Sequence, residues 1–248
     1  PRMNQHTVKS YGDELNQLTA IVARMGGLAE AQVADAIESV ARRDVALARA
    51  VVERDARLDT LHSDIEKKAI RLIALRQPVA SDLRKTLSAM KLAVDLERTG
   101  DLARNISKRA LILADGEPML PLTRSIERMG KLVSNRLRDV LDAYTASDVD
   151  RAMGVWTSDD EVDEHYNSLF RELLTYMMGD PRTITACTHL LFMAKNLERI
   201  GDHATNIAET IHYEITGGDM IGERPRWTPT PSDSDVMATD DPLRPQET

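Results

Sequence analysis

The sequence is divided into long stretches in which apolar residues recur every three or four positions, the spacing of amphipathic helices. Prolines interrupt these stretches at Pro78, Pro118, Pro121 and Pro181, where a helix has to begin or end. The pattern predicts six helices, each roughly 45 Å long at the rise of an α-helix. They are expected near residues 8–42, 45–75, 79–114, 120–146, 149–178 and 182–216.

One segment of eleven residues occurs twice in the chain. Residues 96–106 read Leu-Glu-Arg-Thr-Gly-Asp-Leu-Ala-Arg-Asn-Ile, and residues 197–207 read Leu-Glu-Arg-Ile-Gly-Asp-His-Ala-Thr-Asn-Ile, so that eight positions are identical at an offset of 101. This offset is longer than the period of short solenoid repeats and indicates a duplicated domain. The predicted fold is all-α, with two tandem three-helix bundles over residues 1–115 and 119–217. A Pro-rich, flexible and disordered tail is expected over 218–248.

Composition narrows the class of protein. Because 42% of the residues are hydrophobic but only 4% are aromatic, the core is expected to consist of Leu, Ile, Val, Ala and Met. The net charge of −8 argues against a nucleic-acid partner, because phosphate binding needs a clustered basic face and the sequence shows none. The single Cys187 excludes a disulfide framework and fits a reducing compartment. No apolar run approaches a transmembrane span of about 20 residues, so a cytoplasmic location is expected.

The repeated segment carries acidic residues along one side of its helix. With Leu197 at zero and about 100° per residue, Glu198 lies near 100° and Asp202 near 140°. Glu97 and Asp101 repeat this geometry in the first half. The apolar stripe of the sixth helix centres near about 320° on the same wheel, so the acids are predicted to form a row on the side away from the core.

A second acidic pair precedes each copy of the repeated segment. Asp55 and Asp59 lie on the second predicted helix, and Asp159 and Asp163 lie on the fifth, each pair at i, i+4 spacing. Antiparallel neighbouring helices can bring the two pairs of one half face to face. Four carboxylates would repel one another, and a multivalent cation would reverse that repulsion. Oxygen ligands favour iron, manganese or magnesium, with zinc as a further candidate.

The two halves differ at two positions beside these acids. Arg104 stands at the position of Thr205, and Lys108 at the position of Glu209, so the first half carries its own counter-charges. We therefore predict tighter metal binding in the second half.

These residues resemble the PhoU family of bacterial regulators of phosphate uptake. The resemblance covers roughly residues 6–216 and rests on the doubled segment, the upstream acidic pairs, and an opening His6-Thr7 followed by Tyr11 and Leu15. It implies a fold of two three-helix bundles, with metal clusters held on the bundle surface of some members. The metal ligands that it implies here are Asp55, Asp59, Glu97, Asp101, Asp159, Asp163, Glu198 and Asp202.

The resemblance also implies a role. PhoU-like proteins relay phosphate status from the Pst phosphate transporter, through its ATPase, to the PhoR sensor kinase and repress the phosphate-starvation response. They are not enzymes and use no organic cofactor. A homodimer is also expected, because long helices leave paired faces.

Two other interpretations remain open from the sequence. The first is a carboxylate-bridged di-iron enzyme, for which Glu209 and His212 supply one Glu-x-x-His motif where that architecture needs two. The second is a helical adaptor without metal. Histidines His62, His165 and His203 are isolated in the sequence and add no metal-ligand cluster.

Overall fold

The computed structural model describes residues 2–158 and 160–220, and the side chains of all of these except residues 2–11 and 120. Its helices are α1 (Arg2–Arg42), α2 (Val45–Arg76), α3 (Ala80–Leu113), α4 (Leu120–Ala146), α5 (Val149–Thr157), α6 (Asp160–Gly179) and α7 (Ile184–Thr216). A short 3₁₀ turn, Pro181–Thr183, precedes α7. The all-helical class and the helix breaks at the four internal prolines are confirmed. Most of the tail predicted over 218–248 lies outside the described residues.

The fifth predicted helix is divided in two, since α5 ends at Thr157 and α6 begins at Asp160. A buried arginine of another helix caps the end of α5 at this division. Arg136 of α4 donates to the carbonyl oxygens of Val155 and Ser158 and to the Ser158 hydroxyl. These carbonyls close the C-terminal turn of α5, where they have no partner within the helix.

The helices form two three-helix bundles that pack side by side. The first contains α1, α2 and α3, and the second contains α4, α7 and the divided helix α5/α6. Helix α1 packs against α4, and α3 packs against α7. Arg43 fixes the connection between the bundles, because its guanidinium donates to the carbonyl oxygens of Leu113, Ala114 and Gly116. Among the described residues, no helix is both long and apolar enough to cross a membrane.

The contacts between α1 and α4 repeat themselves as a two-fold axis would require. A Cβ atom on Gly26 would meet the Leu141 side chain at 2.7 Å, and a Cβ atom on Gly130 would meet Ile37 at the same distance. Positions 26 and 130 differ by 104, and so do 37 and 141. The start of the second helix follows the same offset, because Asp44 and Asp148 each cap a helix through the side chain. The duplication therefore places the two bundles about a local two-fold axis.

The core matches the composition. Leu, Ile, Val, Ala and Met fill it, and Tyr144 and Trp156 are the buried aromatic residues of the described chain. The apolar stripe of α7 is fully buried, at 0 to 1% exposure for Leu197, Ile200, Ala204, Ile207 and Ile211.

Candidate functional site: two opposed acidic clusters

The first acidic cluster lies between α2 and α3. Asp55 and Asp59 of α2 face Glu97 and Asp101 of α3, as the sequence predicted for two antiparallel helices. Burial is the largest cause that raises the pKa of Asp55 and of Glu97, and the negative charges of Asp59 and Asp101 raise both further. The charges of Asp59 and Asp101 thus act on Asp55 and Glu97 across the contact between α2 and α3.

Arginine side chains of α3 neutralise this cluster. Arg104 contacts Asp55 and also lies 2.8 Å from Asp101 Oδ1. Arg98 lies 3.5 Å from Glu97 Oε2 and 3.4 Å from Asp101 Oδ2. The counter-charge that the sequence placed at Arg104 is therefore in direct contact with two of the four acids.

The second cluster lies between α6 and α7. Burial raises the pKa of Glu198, Lys195 opposes this, and the charges of Asp202 and Asp163 raise the pKa further. Lys195 Nζ forms an ion pair with Glu198 Oε2 at 2.8 Å. Asp163, Glu198 and Asp202 are thus brought together, whereas Asp159 lies outside the described residues.

The prediction that the acids of the repeated segment lie away from the core is wrong for Glu97 and Glu198, whose side chains are 18% and 14% exposed. Asp55, which faces them from α2 in the first half, is only 3% exposed. The helical wheel locates the apolar stripe correctly, but α3 and α7 each have neighbours on two flanks. The acidic row points into the contact with α2 or α6, and not into solvent.

The glycine of the repeated segment has a packing role. A Cβ atom on Gly100 would lie 2.3 Å from Leu58 Cδ1 and 3.3 Å from Asp55 Oδ1. A Cβ atom on Gly201 would lie 3.2 Å from Val162 of α6. Glycine at this position lets the helices approach closely enough for carboxylates of adjacent helices to face each other.

The residues that replace Arg104 and Lys108 in the second half have different partners. The Thr205 hydroxyl donates to the Gly201 carbonyl and accepts from Arg136 Nη2 at 3.2 Å. Glu209 does not extend the acidic row, because its Oε1 accepts from the indole nitrogen of Trp156 at 3.0 Å. A single helical wheel could not show that a tryptophan from α5 reaches this position.

A third polar group joins the two bundles and was missed. Asp95 Oδ1 of α3 lies 2.8 Å from His203 Nδ1 and accepts from Asn206 Nδ2 at 3.4 Å. His203 is thus not isolated, because its partner Asp95 lies across the contact between α3 and α7. The sequence signal was weak, because Asp95 immediately precedes the repeated segment and has Asn196 at its counterpart position.

The chemistry of these clusters is that of charge pairing. Among the side chains that the structure describes, no three from His, Cys, Asp or Glu are grouped closely enough to hold a metal ion. His212 lies near the end of α7, where its Nδ1 is 3.2 Å from the Gly218 carbonyl oxygen. Together with the Glu209–Trp156 contact, this position keeps the Glu-x-x-His pair from facing a core site.

These features define a class of protein: a duplicated all-helical scaffold in which each three-helix bundle presents carboxylates across its second and third helices. The family model described as the PhoU domain matches residues 22–110 and again 126–211. The chain belongs to the PhoU family.

Relatives and solved structures agree with this assignment. The chain is 70% identical over 224 residues to a phosphate-specific transport system accessory protein PhoU homolog of Caulobacter vibrioides, covering 90% of this chain and 97% of that relative. It is 49% identical over 221 residues to the homolog of Rhizobium meliloti, covering 89% and 93%. The crystal structure of PhoU from Pseudomonas aeruginosa superimposes with a TM-score of 0.82 at 38% identity, covering 84% of this chain and all of that one.

Proposed function

We propose that this chain is a regulatory accessory protein of a phosphate-specific transport system. The observation that carries the proposal is the likeness to accessory proteins of that name along nearly their whole length. The finer role is that of a negative regulator, which passes phosphate status from the ATPase of the Pst transporter to a PhoR-type sensor kinase in the cytoplasm.

Deletion of the gene tests this role. A phosphate-starvation reporter should be expressed in rich phosphate when the gene is absent, and the wild-type gene should restore repression. A reporter that stays repressed in the deletion strain would contradict the proposal.

We further propose that the acidic clusters bind a multivalent cation, which would supply the missing positive charge between buried carboxylates. The support is the raised pKa of Glu97 and Glu198, caused first by burial and then increased by neighbouring acids. The second half is the better candidate for such an ion. In the first half, Arg104 already pairs with Asp55 and Asp101, whereas the uncharged Thr205 occupies the equivalent position in the second half. Glu198 and Asp202 are the candidate ligands there, and Lys195 would have to release Glu198.

Elemental analysis tests the metal proposal. Protein purified without chelator or immobilised nickel should contain iron, manganese, magnesium or zinc, and the pair Glu198→Gln/Asp202→Asn should lose more of it than Glu97→Gln/Asp101→Asn. Equal loss from both variants would overturn the predicted order. Absence of metal from the wild type would favour the metal-free adaptor.

The homodimer also stays a prediction, which analytical ultracentrifugation tests.

A further inference from the structure

Basic charge is concentrated at one end of the first bundle. We define the α2–α3 tip as residues 67–87, the end of α2, the turn at Pro78 and the start of α3. It contains six basic residues and one acid, although the whole chain has a net charge of −8. The basic residues are Lys67, Lys68, Arg71, Arg76, Arg84 and Lys85. This tip is thus basic, whereas the chain as a whole is acidic.

Apolar side chains protrude from the same tip. Ile70 is 54% exposed, Leu75 is 66% exposed and Val79 is 74% exposed. Lys67, Arg71 and Leu75 follow one another at i, i+4 and i+8, so they form one row on the outer face of α2. The opposite face of the helix is buried through Ile65, Ala69 and Leu72. The tip thus presents apolar and basic side chains together.

Contacts within the protein engage part of this positive charge. Arg76 lies 2.7 Å from Glu14 Oε1, and Lys68 Nζ donates to Gln17 Oε1 at 3.2 Å. Arg84 Nε donates to the carbonyl oxygen of Glu214 at 3.5 Å. Lys67, Arg71 and Lys85 are exposed, although the charge of Arg71 also acts on Glu14 and that of Lys85 on Glu214. These three cations flank the protruding Leu75 and Val79 in the sequence.

The corresponding end of the second bundle provides an internal comparison. The α6–α7 tip, residues 171–188, contains two basic and two acidic residues. Its apolar side chains are also exposed, with Met178 at 86% and Ile184 at 46%. Arg182 pairs with Asp180 at 2.8 Å. The two tips therefore share exposed apolar surface, and only the first adds a basic excess.

We propose that the α2–α3 tip docks on an anionic lipid surface. Amphipathic segments bind membrane interfaces by combining lysine and arginine side chains with exposed aliphatic side chains. The basic residues would lie at the headgroups, while Leu75 and Val79 enter the boundary with the acyl chains. The negative remainder of the chain would be repelled by the same surface, so this end would face the membrane. The proposal does not depend on the regulatory role.

Vesicle sedimentation of the purified full chain tests this docking. We expect binding to phosphatidylcholine vesicles that contain phosphatidylglycerol, weaker binding at high salt, and no binding to phosphatidylcholine alone. Each basic residue near an anionic surface strengthens membrane binding by about fivefold, so Lys67→Gln/Arg71→Gln should weaken vesicle binding roughly 25-fold. Leu75→Ser/Val79→Ser should weaken it about tenfold, because less apolar surface leaves water.

The matched control is Tyr176→Ser/Met178→Ser at the α6–α7 tip, which should leave vesicle binding within about twofold of the wild type. Failure of the wild type to sediment with anionic vesicles would overturn the proposal. Equal loss in the control and tip variants, or equal binding to neutral vesicles, would also overturn it.

Discussion

Arg104 is the residue on which the buried acid of the first cluster depends. Asp55 is almost fully buried, and burial raises its pKa, while the neighbouring Arg104 guanidinium favours the ionised form. Removing one partner of a buried ion pair leaves an uncompensated charge, which costs about 3–5 kcal/mol. The contact therefore matters more for stability than the exposed ion pairs of Arg98.

We expect Arg104→Met to lower the free energy of unfolding by about 3 kcal/mol, measured by urea denaturation at neutral pH. The double variant Asp55→Asn/Arg104→Met should recover part of that loss, because the unpaired charge is removed. Arg98→Met, whose side chain is 58% exposed, should change stability by less than about 1 kcal/mol. Similar losses for Arg98→Met and Arg104→Met would contradict this account.

Gly100 sets the distance between α2 and α3. A methyl group there would meet Leu58 Cδ1 at 2.3 Å, so Gly100→Ala should destabilise the protein by about 1–3 kcal/mol through overpacking. A methyl group added to Gly27 would meet nothing within 4 Å, and Gly27→Ala should raise stability by up to about 1 kcal/mol through helix propensity. Thermal unfolding of both variants checks the contrast, and a stabilised Gly100→Ala would refute it.

Glu214 should make stability depend on pH near neutrality. Burial raises its pKa from 4.5 to about 7, and Lys85 only partly offsets this. Because the folded pKa is raised, its contribution is complete below the unfolded value and is lost as pH rises through the folded value. Between about pH 5 and about pH 8, the wild type should lose roughly 2 kcal/mol more than Glu214→Gln. Parallel pH profiles from urea denaturation would rule this out.

Residue types predicted the acidic clusters better than they predicted the partners of those acids. The i, i+4 spacing located both sides of the first cluster, and it located Asp163, Glu198 and Asp202 of the second, because helical periodicity is local. The contacts of Asp95 with His203 and of Glu209 with Trp156 join separate helices, so their cause lies in tertiary packing. For the same reason, the wheel could not show that the acidic row faces a neighbouring helix.

At the scale of helices, the break between α5 and α6 is the one division of a predicted helix at which the sequence has no proline. Arg136 is 5% exposed and donates to two carbonyl groups at the end of α5 and to the Thr205 hydroxyl of α7. The end of α5 is therefore capped by an arginine that lies on a different helix. Breaks that prolines cause can be predicted from sequence, but this one requires the packed bundle.

We expect Arg136→Met to lower the free energy of unfolding by about 3 kcal/mol, since the Val155 and Ser158 carbonyl groups and the Thr205 hydroxyl each lose a charged donor. Amide hydrogen exchange should accelerate in α5 and the first turns of α6. Arg138→Met removes an ion pair with Glu30 from a side chain that is 56% exposed and should cost less than about 1 kcal/mol. Unchanged exchange in Arg136→Met would show that the cap is dispensable.

At the scale of the molecule, the duplication predicts two bundles but not how they are joined. The offset of the repeated segment identified equivalent helices, and the fold class followed from it. The joint depends on Gly26 against Leu141 and Gly130 against Ile37, in which small residues meet large ones across a local two-fold axis. Nothing in one helix alone specifies that pairing, since it is a match between two surfaces.

The duplication also separates what both halves keep from what only one has. Both keep the glycine and opposed carboxylates, whereas only the first has Arg104 and only the first has a basic tip. These features therefore distinguish the two halves. The shared helical scaffold holds both acidic clusters in position. The carboxylates of the second cluster are less fully neutralised by arginine than those of the first.

The central claim is that the acids of the second cluster are needed for the proposed repression. The most direct test introduces variants of that cluster into a strain that lacks the gene and measures repression. Glu198→Gln/Asp202→Asn should fail to restore repression of a phosphate-starvation reporter in rich phosphate, at protein levels equal to the wild type. The control Glu38→Gln/Asp142→Asn changes exposed acids outside both clusters and should repress fully. Repression by the Glu198→Gln/Asp202→Asn variant as complete as that by the wild type would contradict the account.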